Sequence, residues 1–125
     1  MKGKNLIVEG HYAVHVVPPK RASLVFVLRR DPRDLKRILK SRGYNEEKIK
    51  ENLAAEILDV CLFDAVNIFG EDKVSEVDVT AKSPHEVIEE ILSVINGEKK
   101  PKVGIVDWLG ILEAEGELDD YLKDF

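Results

Sequence analysis

The chain has 125 residues, 44% apolar and 34% charged, with a net charge of -5; that is enough for one buried core and argues against non-specific binding to nucleic-acid phosphates, although a local basic strip stays open. No apolar run approaches membrane-spanning length, the lone Cys61 rules out an internal disulfide, and Met1-Lys2-Gly3-Lys4-Asn5 does not lead into an apolar signal core. The expectation is a single domain over residues 1–125, in the cytosol, with no membrane and no direct nucleic-acid partner.

In chain order, Leu6-Ile7-Val8 and Leu24-Val25-Phe26-Val27-Leu28 are short, unbroken and rich in β-branched residues, as buried parallel strands are. Residues 12 to 23 between them hold Pro18-Pro19 and Lys20-Arg21, which suits a surface connection. Asp31 caps a predicted short helix with Pro32 in its first turn, Leu35, Ile38 and Leu39 on its apolar stripe, and Gly43 past its end. Asn45 starts a longer predicted helix in which Ile49, Leu53, Ile57, Cys61, Ala65 and Ile68 recur before Gly70 stops it. A strand over about Val74 to Val79 precedes the capping box Ser83-Pro84-His85-Glu86, and Val87, Ile88, Ile91, Leu92 and Ile95 make the buried face of the helix that ends at Gly97. Residues 97–125 read as a loosely packed C-terminal extension, whose Val103 to Trp108 segment and acidic tail either pack back or wander. Apolar strands alternating with amphipathic helices predict an α/β sheet with right-handed crossovers.

Four pieces stand out in this order: Asn5-Leu6-Ile7-Val8-Glu9-Gly10-His11; Val27-Leu28-Arg29 with Asp31-Pro32; Arg42-Gly43-Tyr44 leading to Asn52 and Glu56; and Val77-Asp78-Val79-Thr80 followed by Ser83-Pro84. Together, from about Lys4 to Trp108, they resemble the archaeal and nuclear adenylate-kinase family, P-loop nucleoside monophosphate kinases linked to small ribosomal subunit maturation. No Gly-x-x-x-x-Gly-Lys-Ser/Thr occurs in these residues, because the Gly3-Lys4 pair is followed by Asn5. The chain thus resembles the C-terminal two thirds of such an enzyme, and the resemblance implies an incomplete P-loop-kinase-like parallel sheet flanked by helices. In that family the loop-bearing strand lies between those resembling 5–9 and 24–28. These two are therefore expected to pair directly or to recruit another copy in a homo-oligomer, since unpaired backbone groups in an apolar setting are costly.

Glu9 and His11 fall two apart at the carboxyl end of a predicted strand, so they point to one side of the edge where open α/β sheets bind ligands. The resemblance gives them catalytic roles, Glu9 on the water shell of Mg2+ bound with ATP and His11 through hydrogen bonds to the attacking water. As residues alone they read as polar groups where a strand meets solvent. Residues 41–51 resemble the lid that closes an arginine over the phosphates and excludes water. Arg42 matches the lid arginine, and Arg29 is a second nucleotide-binding candidate. The family's Arg-Leu-x-x-Arg-Gly-Tyr stands here as Ile38-Leu39-Lys40-Ser41-Arg42-Gly43-Tyr44, so Ile38 replaces the first of two clamping arginines. The neighbouring Arg37 is turned about 100° away. The remaining cations between Arg30 and Lys40 read as a solvated basic face. Thr80, Lys82 and Ser83, with Ala81 and Pro84, match the loop that cups adenine, while Ser83 and Pro84 are equally explained as helix cap and first turn. His15 and His85 read as surface residues and Cys61 as core packing, and no zinc-ligand cluster or nucleophile elbow is present.

A complete relative would transfer the terminal phosphoryl group of magnesium-bound ATP to AMP, or hydrolyse it. Donor binding in that mechanism rests on loop amides, the loop lysine and a metal-holding hydroxyl, so the 125-residue polypeptide alone is expected to show negligible kinase activity. Three explanations stay open: a truncated product or late start codon, a non-enzymatic adaptor that binds a small-subunit ribosomal protein, and one half of a split kinase.

Overall fold

The computed structural model describes residues 5–9, 13–17 and 24–122, the first two segments by their backbone alone. Along the chain run β1 (Asn5–Glu9), β2 (Ala13–Val17), β3 (Leu24–Arg29), α1 (Pro32–Ser41), α2 (Glu46–Ile57), α3 (Val60–Phe69), β4 (Val74–Asp78), α4 (Pro84–Ile95), α5 (Trp108–Ala114) and α6 (Leu118–Leu122). They form two compact units: Met1–Arg29 with Cys61–Ile105, and Arg30–Val60 with Val106–Phe125.

The first unit holds a sheet of order β1-β2-β3-β4. β3 and β4 pair in parallel, Val25 opposite Val74 and Arg29 opposite Asp78, which is the helix-flanked parallel arrangement the sequence implies. Successive strand residues point to opposite faces. Phe26, Val77 and Val79 accordingly meet Val94, with Val87, Ile91 and Ile95 of α4 packed around them, whereas Val25, Val27 and Val74 meet Ala65 of α3, flanked by Cys61, Leu62, Val66 and Phe69. Fully burying a side chain such as Phe26 stabilises by about 1.5–3 kcal/mol.

Two expectations about the front of this sheet give way. Residues 12 to 23 are not simply a surface connection, because Ala13–Val17 forms β2. Nor do β1 and β3 pair directly, since β2 lies antiparallel between them, Val14 opposite both Val8 and Phe26. Val14, Val16 and Val17 favour an extended backbone, and the ladder they form gives the edge of β3 its hydrogen-bond partners. Because each is antiparallel to β2, β1 and β3 still run in the same direction.

α4 starts on the expected capping box, with Ser83 Oγ accepting from Glu86 N at 3.2 Å and Glu86 Oε1 accepting from Ser83 N at 3.1 Å. Its buried stripe is Val87, Ile91, Val94 and Ile95. Ile88, expected inside, is 55% exposed because it lies one residue, about 100°, round the helix from Val87. The long helix expected from Asn45 to Phe69 is two helices. Asp59 adopts φ 58, a left-handed conformation that aspartate tolerates, and the chain re-enters a helix at Val60, whose inner stripe is Cys61, Leu62, Ala65, Val66 and Phe69. Ile68, expected on the inner face, lies about 100° round the helix from Phe69, outside that stripe, and is 71% exposed.

In the second unit α1 packs on α2, burying Leu35 and Leu39 together with Ile49, Leu53 and Ala54. Ile57, Trp108 and Leu112 form a further cluster, against which Val106, Leu118, Tyr121 and Leu122 pack. α1 ends in a Schellman motif: Tyr44 N donates to Leu39 O and Gly43 N to Lys40 O, both at 3.1 Å, with Gly43 at φ 79. Asn45 then caps α2 by accepting from Lys48 N at 2.8 Å. The reversal between α1 and α2 is thus fixed by local chemistry alone.

Candidate functional site

In the first unit the co-directional strands β1, β3 and β4 bring Glu9, Arg29 and Asp78 to their carboxyl ends on one sheet edge. That is where an α/β sheet presents ligand-binding groups. Of the two residues given catalytic roles by the resemblance, Glu9 is placed by its backbone and His11 lies outside the described residues.

Arg29 does not stand free at this edge. Its Nη1 donates to Glu76 Oε2 at 2.6 Å, both side chains being essentially inaccessible. The other carboxylate oxygen, Glu76 Oε1, accepts from Gly104 N at 2.5 Å and Ile105 N at 3.3 Å. The main chain of Glu76 donates to Lys102 O at 2.8 Å, so residues 102–105 run along the outer edge of β4 and are fastened there by one carboxylate. A glutamate between Val74 and Val77 of one strand and an arginine ending the adjacent strand form a signal of such a pair, because a buried charge requires a partner.

The loop after β4 is built by short-range bonds. Thr80 N donates to Asp78 Oδ1 at 3.0 Å, Lys82 N donates to Val79 O at 3.2 Å, and Ala81 takes φ 59. Lys82 Nζ pairs with Glu90 Oε2 of α4 at 2.8 Å. The Ser83 cap holds the Glu86 carboxyl below its ordinary range, the hydrogen bond from the Ser83 amide being the largest cause. Thr80, Lys82 and Ser83 are thus brought together in one turn, with Lys82 and Ser83 engaged by α4.

In the second unit Arg42 caps α1 as an exposed residue of the 41–44 turn. Most of the arginines before it are neutralised: Arg30 by Asp34 at 2.7 Å, Arg37 also by Asp34, and Arg33 by Asp31 at 2.9 Å and Glu115 at 2.5 Å. The hydrogen bond from Arg33 holds the Asp31 carboxyl below its ordinary range, and the same partner raises the Arg33 guanidinium. Burial pushes the Tyr121 phenol up. A buried carboxylate that the sequence reading did not single out for a role, Glu56 Oε2, accepts from Arg30 N at 3.2 Å and from Trp108 Nε1 at 2.8 Å. Among the described residues no three His, Cys, Asp or Glu side chains converge as a metal site. No helix of the described residues is long and apolar enough to cross a membrane.

A family model described as an AAA domain matches residues 1–59. The chain is 45% identical, over 98% of its length, to a protein of Pyrococcus furiosus, and 47% identical over 98% to one of Thermococcus kodakarensis. It is 46% identical over 85% to one of Methanothermobacter thermautotrophicus. All three are provisionally named as adenylate kinases. The chain spans 63%, 64% and 60% of the length of these relatives. The fold is α/β, and the sequence is similar over most of its length to proteins named as adenylate kinases.

Proposed function

We propose that these 125 residues supply the lid-side and base-side parts of an enzyme that transfers the terminal phosphoryl group of ATP to AMP. The similarity to adenylate-kinase-named proteins over nearly the whole chain carries this reading. In it, residues 41–51 act as the lid, Arg42 neutralises phosphate charge, and the 80–83 turn receives the base. Such positive charge and water exclusion stabilise a phosphoryl group in flight. Magnesium enters only with the nucleotide, whose metal water shell Glu9 would meet, and His11 would orient the attacking group. The described residues do not themselves form a metal cage.

Within these residues no phosphate-cradling Gly-x-x-x-x-Gly-Lys-Ser/Thr is present, so the polypeptide by itself is expected to be inactive. A coupled assay with ATP, AMP and magnesium should read blank for the 125-residue chain, and turnover clearly above blank would refute that expectation. A second reading, a cytoplasmic adaptor for a small-subunit ribosomal protein, is favoured by the internal pairing of Arg29 with Glu76 and of Lys82 with Glu90, which engages two candidate phosphate cations. Nucleotide-independent capture of a small-subunit platform protein is its expected result, and failure of capture removes it.

A further inference from the structure

Glu56 sits in the last turn of α2, yet its carboxylate reaches the amide of Arg30, which precedes α1, and the indole of Trp108, the first residue of α5. The end of α2 therefore returns to the start of α1, so the two helices run antiparallel and the 42–45 turn is the far tip of a hairpin. The base of that hairpin is held on both arms by the C-terminal helices. Ile57 of α2 packs with Trp108 and Leu112, Arg33 of α1 pairs with Glu115 and Glu117, and the Lys36 ammonium lies 5.4 Å over the Tyr121 ring.

We propose that α5 and α6 are a strap that sets the tilt of the lid hairpin, with Glu56 as its positioning residue. The proposal rests on reading residues 41–51 as a lid. The physical basis is leverage: α1 spans ten residues, about 15 Å at 1.5 Å rise each, so a tilt of roughly 10° at the base displaces Arg42 by about 3 Å. A displacement of that size takes a charged group out of range of the phosphate it serves. One buried carboxylate gathering three chain segments suits this task, because a hydrogen bond to a charged acceptor is short, directional and costly to lose once desolvated.

The test measures distance in the absence of nucleotide, so its failure and a failure of the phosphoryl-transfer reading are separable. In the full 125-residue chain with Cys61→Ala, spin labels at Ser41→Cys and Glu113→Cys, both exposed positions, report tip against strap by pulsed electron–electron resonance. Glu56→Leu is expected to shift or widen the distance distribution by about 3 Å, as the lever predicts. Glu56→Gln, whose amide oxygen can accept both bonds, retains the parent distribution. A Glu56→Leu chain with parent helical content and parent distances overturns the proposal. Where Glu56→Leu loses its helical circular dichroism, Trp108→Phe removes the indole N–H while keeping an aromatic ring at the position. It frees the strap from Glu56 while the Arg30 amide bond stays, so a change in the same direction is expected, and an unchanged distribution is equally fatal.

Discussion

Replacing Arg29 by methionine tests the energetic centre of the first unit. The guanidinium and the Glu76 carboxylate are 2% and 0% exposed, so each charge is compensated there chiefly by the other. Removing one member of such a pair costs about 3–5 kcal/mol, because the remaining charge is left in surroundings that cannot solvate it. Glu76→Leu should cost at least as much, since it also strands the amides of Gly104 and Ile105, which Glu76 Oε1 receives. An amide left without a partner costs about 1–3 kcal/mol when buried, nearer the lower figure or below it at the exposed Gly104 and half-buried Ile105. In the double variant Arg29→Met/Glu76→Leu no buried charge remains, so most of the loss returns and only the amide cost persists. The assay is urea unfolding followed by circular dichroism. With a slope of about 1–3 kcal/mol per molar, the single variants move the midpoint down by more than about 1 M. That is a large share of a typical total of about 5–15 kcal/mol. An Arg29→Met loss below about 1 kcal/mol, or a double variant equal to the sum of the singles, refutes the reasoning.

Asp31→Ala removes the cap of α1, which accepts from Arg33 N at 2.9 Å, and is expected to lower stability by about 1 kcal/mol in the same assay. The hydrogen bond from Arg33 holds the Asp31 carboxyl below its reference value of 3.8, so its contribution is complete above that value and disappears as pH falls through the lower, folded one. Asp31→Asn should flatten the acid limb of stability against pH in that window, and an unchanged limb counts against the assignment. Ala81→Gly relieves a left-handed alanine at φ 59. That conformation costs about 1–2 kcal/mol, of which the freer unfolded glycine returns about 0.4–1, so a net gain of about 0.5–1 kcal/mol in thermal or urea unfolding is expected.

What the sequence determined by itself is local. Asp31, Asn45 and Ser83 cap their helices, and Gly43 and Gly97 end theirs, because capping involves residues at most a few positions apart. The same holds for the apolar run of β3 and for the clustering of Thr80, Lys82 and Ser83 in one turn. The tertiary structure decided whatever depends on partners distant in the chain. Arg29 read as a phosphate contact until Glu76, 47 residues on, took up its guanidinium. Glu56 belonged to a piece that carries the resemblance, but it had no stated role until Trp108, 52 residues on, reached its carboxylate. The single long helix from Asn45 divided at Asp59 because the two sides of the break pack in different units, a division to which helical periodicity along one segment is blind. Likewise β2 emerged from a proline-marked connection because a strand edge draws a partner from any chain able to extend beside it, and that demand arises only once the sheet exists.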